Sequence, residues 1–179
     1  MLSDDELIDK CIQSNDRQAQ KELYNRYSAV MFAICLRYMP TYEDAEDALV
    51  TGFTSIFTKL NSFQNKGSFE GWMRRIMVNN AISMLRSNSK YAVTLNEDAM
   101  YDLQSPHNTI ESGMNAKDII ALIRQLPTGY RSVFNLYAIE GYSYEEIAEM
   151  LNINIGTVRS QLFKARKILQ DKLTEHDRK

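Results

Sequence analysis

The chain has 179 residues and a formal net charge of −2, from 21 Lys plus Arg against 23 Asp plus Glu, so it is not a globally basic nucleic-acid binder. Its 44% hydrophobic and 25% charged composition excludes wholesale disorder, and seven glycines with three prolines leave few interruptions to helix. No uncharged run exceeds the 11 residues from Ala48 to Thr58, well short of the roughly 20 that a membrane helix needs. The acidic start Ser3-Asp4-Asp5-Glu6 lacks the features of a signal peptide, and the expected location is the cytoplasm.

The N-terminal part reads as four helices. Ser3 and Glu6 have capping-box spacing ahead of Leu7, Ile8, Cys11 and Ile12. Ala19, Leu23, Tyr27, Val30, Met31, Ile34 and Cys35 then recur with helical period as far as Pro40. Thr41 caps a third helix whose first turn is acidic and whose apolar face is Ala45, Ala48, Leu49, Phe53, Ile56 and Leu60. A polar loop, 61–67, precedes Ser68, the expected cap of a helix running through Trp72 and Met77 to Leu85. Cys11 and Cys35, on apolar faces, are expected to be buried reduced thiols, because two cysteines make neither a disulfide framework nor a zinc site.

Residues 91–115 have no sustained apolar period and contain Ser105-Pro106-His107-Asn108 and Ser112-Gly113. A loop of that length is expected to join two domains rather than to sit inside one. Four helices follow: 115–126, 128–139, 144–151 and 155 to about 172, with no competing β-alternation. The last two are separated by Asn152-Ile153-Asn154, the layout of a helix-turn-helix. Ala148 is small at the crossing, Asn152 suits a left-handed turn, and Ile147, Leu151, Ile153, Val158 and Leu162 form the expected seam.

Charge is segregated along the chain. Residues 1–58 carry 5 positive and 10 negative side chains, whereas 59–90 carry 6 positive and one negative, and 156–172 carry 5 positive and one negative. Two basic elements therefore interrupt an acidic chain. In the last helix, Thr157, Arg159, Ser160, Phe163, Lys164, Arg166 and Lys167 fall on the exposed face. Arg159 and Ser160 suit base edges in the major groove, and Lys164, Arg166 and Lys167 suit phosphates. The fourth helix carries Arg74, Arg75, Asn79, Asn80, Ser83 and Arg86 beside Trp72, after a loop with Asn61, Phe63, Lys66 and Ser68. Cations, amides and aromatics together suit an opened strand, although Trp72 also suits a core. The run Glu43, Asp44, Glu46 and Asp47 fits a solvated face or a charged docking face. His107 and His176 stand outside any catalytic constellation, and no phosphate loop is present, so no enzyme and no cofactor are expected.

Taken in order, several motifs resemble the extracytoplasmic-function (ECF) group of bacterial sigma factors, within the sigma-70 family. They are Leu23-Tyr24-Asn25-Arg26-Tyr27, Asp44-Ala45-Glu46-Asp47-Ala48 with Phe53, Gly67-Ser68-Phe69-Glu70-Gly71-Trp72, Leu126-Pro127, Tyr144-Glu145-Glu146-Ile147-Ala148 and Gly156-Thr157-Val158-Arg159-Ser160. The resemblance implies an all-α chain of two small helical domains: sigma domain 2 over 1–90, a flexible linker over 91–115, a helix-turn-helix sigma domain 4 over 116–174 and a tail over 175–179. It implies a transcription initiation factor that binds core RNA polymerase and promoter DNA. Domain 4 would read the −35 element as duplex and domain 2 the melted −10 strand. Asp44, Asp47, Leu49 and Phe53 would grip polymerase, and an anti-sigma factor would be a further partner. Departures stand at Val50-Thr51-Gly52, where the family usually has Gln and an acid, at Ser83, where Asp is common, and at Gln161. Gly52 puts a poor helix former in mid-helix, at a cost of about 1 kcal/mol relative to Ala, and Gln161, where Arg is common, takes a positive charge from the recognition helix.

Two other readings use the same residues. A stand-alone helix-turn-helix repressor or activator would bind DNA tightly without polymerase, commonly at a palindrome. An adaptor that had lost DNA binding would be indifferent to changes at Arg159 and Lys164. The second basic, aromatic-rich block favours the initiation factor.

Overall fold

Short-range capping decides where most of the helices begin. In the computed structural model, which describes residues 2–88 and 116–176, Ser3 and Glu6 close a reciprocal capping box that starts α1 (Asp4–Ser14). Asn15, in the left-handed conformation at φ 49°, ends it. Asp16 then accepts N–H bonds from Gln18 and Ala19 at 2.8 and 3.2 Å and opens α2 (Arg17–Tyr38). Thr41 accepts from the Asp44 N–H at 3.0 Å and opens α3 (Tyr42–Lys59). A 3-10 turn over Leu60–Ser62 leads to α4 (Phe69–Ser87). The remaining helices are α5 (Ala116–Arg124), α6 (Thr128–Phe134), α7 (Tyr144–Leu151) and α8 (Ile155–His176). No strand occurs among the described residues. The expected linker, 91–115, and the end of the tail, 177–179, lie outside the described residues.

Contacts divide the chain into two compact units, Met1–Met84 and Leu85–Lys179, with the division in the last turn of α4. In the first unit, Leu7, Leu23, Met31, Ile34, Ile56, Met73 and Met77 are fully buried. Arg26 and Tyr27 of α2 both hydrogen-bond the Asp4 carboxylate, and Arg26 also reaches the Leu2 carbonyl at 3.0 Å, so α1 is pinned at its start. Burial and the bond to Asp4 push the Tyr27 hydroxyl up to about 12, which keeps it a donor at any physiological pH. Cys11 and Cys35 are free, buried thiols.

Gly52 has a packing reason that helix propensity does not reveal. A Cβ at this position would sit 2.2 Å from the Met77 sulfur and 2.7 Å from its methyl carbon. One helical turn earlier the Asn80 side chain donates to the Ala48 carbonyl at 3.2 Å. The two contacts hold α4 against α3 at close range, and a side chain at residue 52 would require the thioether end of Met77 to move. The mid-helix glycine is therefore matched by a close contact with Met77.

In the second unit α6 and α8 enclose Leu126, Tyr130 and Ala165, flanked by Phe134, Ile168 and Leu169. The helix expected over 128–139 is regular only to Phe134, and Asn135–Ile139 continues it as a π-helical turn. Ser143 and Glu146 form a second capping box, and Asn152 is left-handed at φ 55° as its position in the turn demands. Asn154 accepts from the Thr157 N–H at 2.8 Å and starts α8. Gln161 is fully buried. It belongs to the inward row Val158, Gln161, Leu162 and Ala165, so Gln at 161 changes the core side of the helix.

Helix propensity and packing predict opposite signs for Gly52→Ala. Overpacking against buried Met77 costs about 1–3 kcal/mol, which exceeds the propensity gain of about 1 kcal/mol. Urea unfolding should show a lower midpoint for the variant; a midpoint at or above that of the parent would mean that Met77 yields freely.

Candidate nucleic-acid interface

The helix-turn-helix is set by α7, the turn 152–154 and α8. Ile147, Leu151, Val158 and Leu162 are buried between the two helices, with Ala148 at the crossing. That seam leaves Arg159, Phe163, Arg166 and Lys167 exposed, with Thr157, Ser160 and Lys164 half-buried beside them. Phe163 is 70% exposed. A large aromatic ring in water at the middle of a basic helix face has no folding role there and suits contact with a base methyl or sugar.

Two of the arginines are not loose. The Arg159 guanidinium lies over the Tyr144 ring, 5.7 Å from its centroid, and that of Arg166 lies over the Tyr137 ring at 5.2 Å. The two tyrosines stack with centroids 5.0 Å apart and planes 19° apart. A hydrogen bond to Tyr137 leads the causes that push the Tyr144 hydroxyl up from its usual range. The sequence reading missed Tyr137, because a tyrosine after Leu136 at helical spacing looks like core.

The second basic face lies at the start of α4. Ser68 accepts from the Gly71 N–H at 3.0 Å, so this expected site residue is also the helix cap. The preceding loop turns at Asn65 and Gly67, with φ 54° and 106°. Phe63 leaves that loop to pack on Phe69 and Trp72, with centroids 5.2 and 5.4 Å away, and Phe69 stacks on Trp72 at 5.7 Å. Trp72 is thus half-buried in an aromatic cluster that braces the loop. Asn61, Lys66, Ser68, Arg75, Asn79, Ser83 and Arg86 are exposed. Arg74 is half-buried and pairs with Glu70 at 2.9 Å. Asn80 is turned inward to the Ala48 carbonyl, so its amide is committed to the α3–α4 contact.

The acidic helix borders a groove. Tyr24, Ser28, Ala29 and Phe32 of α2 and Tyr42, Glu46, Leu49 and Val50 of α3 line an open depression of about 450 Å³. Val50 is 63% exposed and Tyr42 52%. Glu43, Glu46 and Asp47 are exposed nearby, with Asp44 half-buried. Leu49 is in the groove wall. Phe53 is not: it is 4% exposed and packs on Tyr24 and Phe57, with centroids 4.7 and 5.9 Å away. Its role is to support the wall from beneath. A mixed surface of this kind suits a helical partner with an apolar strip and a basic flank. Among the described residues no group of three or more His, Cys, Asp or Glu could hold a metal ion.

Comparison with known proteins matches both units. Residues 23–91 match Sigma-70 region 2 and residues 116–169 match Sigma-70, region 4. The ECF RNA polymerase sigma-E factor of Haemophilus influenzae is 29% identical over 183 residues, covering 96% of each chain. That of Escherichia coli is 28% identical, covering 96% of this chain and 95% of its own. In fold, the chain is similar to the sigma factor RpoE solved in complex with the anti-sigma factor NepR from Bartonella quintana. The TM-score is 0.51 at 21% identity, over 86% of this chain and 96% of that one. With both regions present in order, the chain belongs to the sigma-70 family, in its ECF group, whose members bind core RNA polymerase and direct promoter-specific initiation.

Proposed function

We propose that α8 reads the −35 element as duplex, that the 61–68 loop and the basic face of α4 hold the melted −10 strand, and that the α2–α3 groove with its acidic rim docks on polymerase. The observation that carries this is the arrangement of α7 and α8: a buried apolar seam on one side and Arg159, Phe163, Arg166 and Lys167 displayed on the other. In a helix-turn-helix the N-terminal part of the second helix meets base edges, and Arg159 is five residues into α8. Its planar fork can pair with guanine N7 and O6. Lys164, Arg166 and Lys167 lie further along, where phosphates are the nearer targets.

For the second basic face, exposed Asn61, Lys66 and Arg75 surround a loop braced by the Phe63–Phe69–Trp72 cluster. A loop held on a rigid aromatic base can receive an unstacked nucleotide without paying much ordering entropy. The domain limits we assign are 1–90 and 116–174. The chain works as a binding factor without catalysis of its own, in the cytoplasm, and an anti-sigma protein is its expected regulator. The Bartonella quintana relative captured with NepR supports that last assignment.

Run-off transcription from a genomic promoter library, with core polymerase and with or without the chain, tests the whole reading. New starts that share two spaced elements are the expected result; DNA binding without new starts would favour a repressor. Arg159→Ala should lose about 1–3 kcal/mol of discrimination at one upstream base pair. Equal use of promoters with that pair substituted would remove Arg159 from the readout. Lys167→Ala should weaken binding of all promoter duplexes alike and lower the salt slope by about 1; an unchanged slope would move Lys167 off the phosphates. Asp47→Arg, at an exposed position, should weaken core polymerase binding by about 1 kcal/mol with unaltered thermal unfolding, and equal affinity would place the docking face elsewhere.

A further inference from the structure

We infer that Tyr144 and Tyr137 are positioning residues that hold the Arg159 and Arg166 guanidinium groups in place for DNA before DNA arrives. The inference rests on α8 being the duplex-reading helix.

Arg159 and Arg166 are seven residues apart on α8. Two helical turns put them on nearly the same face, about 10.5 Å apart along the axis. Each is exposed, and an exposed arginine samples many rotamers that must be given up on binding. Here each guanidinium already has a seat. Arg159 lies over Tyr144 at 5.7 Å, Arg166 over Tyr137 at 5.2 Å, and the two rings stack at 5.0 Å. The contacts run Arg159–Tyr144–Tyr137–Arg166, so the two arginines are tied to each other through the rings. A ring holds a guanidinium by its face, and the N–H groups at its edge remain able to pair with a base or a phosphate.

The backbone supplies a second, independent observation. Tyr137 sits inside the π-helical turn Asn135–Ile139, where Glu140 N–H donates to the Asn135 carbonyl at 3.0 Å. Single π turns are uncommon and tend to fall at functional positions. This one keeps Asn135 and Leu136 buried while leaving Tyr137 half-buried beside Tyr144. Tyr144 is the first residue of α7, fixed by the Ser143–Glu146 capping box. Both rings therefore stand on constrained backbone, and neither is needed to fill the core.

The test is base preference at each upstream position, measured by library transcription with core polymerase and full-length variants. Arg159→Ala defines which base pair that arginine reads. Tyr144→Leu should lower preference at the same base pair by about two- to fivefold, the size of an exposed cation–π contact, and leave other positions alone. Tyr144→Phe keeps the ring and should keep the preference. Combining Tyr144→Leu with Arg159→Ala should add nothing to Arg159→Ala alone. Tyr137→Leu, a second probe should Tyr144→Leu fold poorly, should weaken binding to every promoter duplex and flatten its salt dependence as Arg166 loses its seat. Wild-type preference in Tyr144→Leu, when Arg159→Ala has lost it, would overturn the inference alone. So would a Phe variant as poor as Leu, or a Leu effect that persists undiminished without Arg159. If Arg159→Ala changes no upstream preference, the duplex reading of α8 fails first and the inference falls with it.

Discussion

The first unit depends on how closely α3 can approach α4. The missing side chain at Gly52 lets the Met77 thioether lie against the α3 backbone, and the Asn80 amide fastens the same crossing to the Ala48 carbonyl. A methyl group at residue 52 would have to displace the thioether end of Met77 from its buried seat. Because α3 is fixed in this way, its outer side can carry an acidic run and one wall of the groove while α4 displays cations. One crossing sets the spacing between a surface of negative charge and a surface of positive charge. Two surfaces of opposite electrostatic sign thus share a scaffold of four helices.

The second unit solves a different problem, that of aiming a few long side chains. Its turn is made by two asparagines with distinct duties: Asn152 takes the left-handed conformation and Asn154 caps the helix that follows. Between them they fix the angle at which α8 leaves α7. Packing then divides α8 lengthwise, with Val158, Gln161, Leu162 and Ala165 inside and the cations outside. Beyond the seam, Arg159 and Arg166 rest on aromatic rings and not on the core, so this exposed face of α8 is organised separately from the stability of the fold.

What could be read from the sequence follows from the range of each interaction. Capping at Ser3, Thr41, Ser68 and Ser143, and the left-handed Asn152, were legible because donor and acceptor lie within four residues of each other. The buried stripe of α3 was legible because its period is local. Gln161 lies i+3 from Val158 on the inward row, a register that its polarity hides in the sequence. Phe53 was identified as functional from motif order, yet its ring is in the core, where the groove needs a firm floor. The Gly52–Met77 contact, the inward turn of Asn80 and the Tyr137–Tyr144 stack join elements far apart in sequence or across an irregular turn. No pattern within one helix encodes them.

Burial of the two cysteines has a consequence for how this factor can be informed of its surroundings. The Cys35 thiol is pushed up to about 12 by burial, and burial raises Cys11 as well. Both shifts keep the sulfurs as thiols at neutral pH, whereas the thiolate is the form that oxidants and disulfides attack. Burial and a raised thiol pKa both work against attack by peroxide or disulfides on these sulfurs while the fold is intact. The two sulfurs thus serve this factor as small apolar filling and not as reactive thiols.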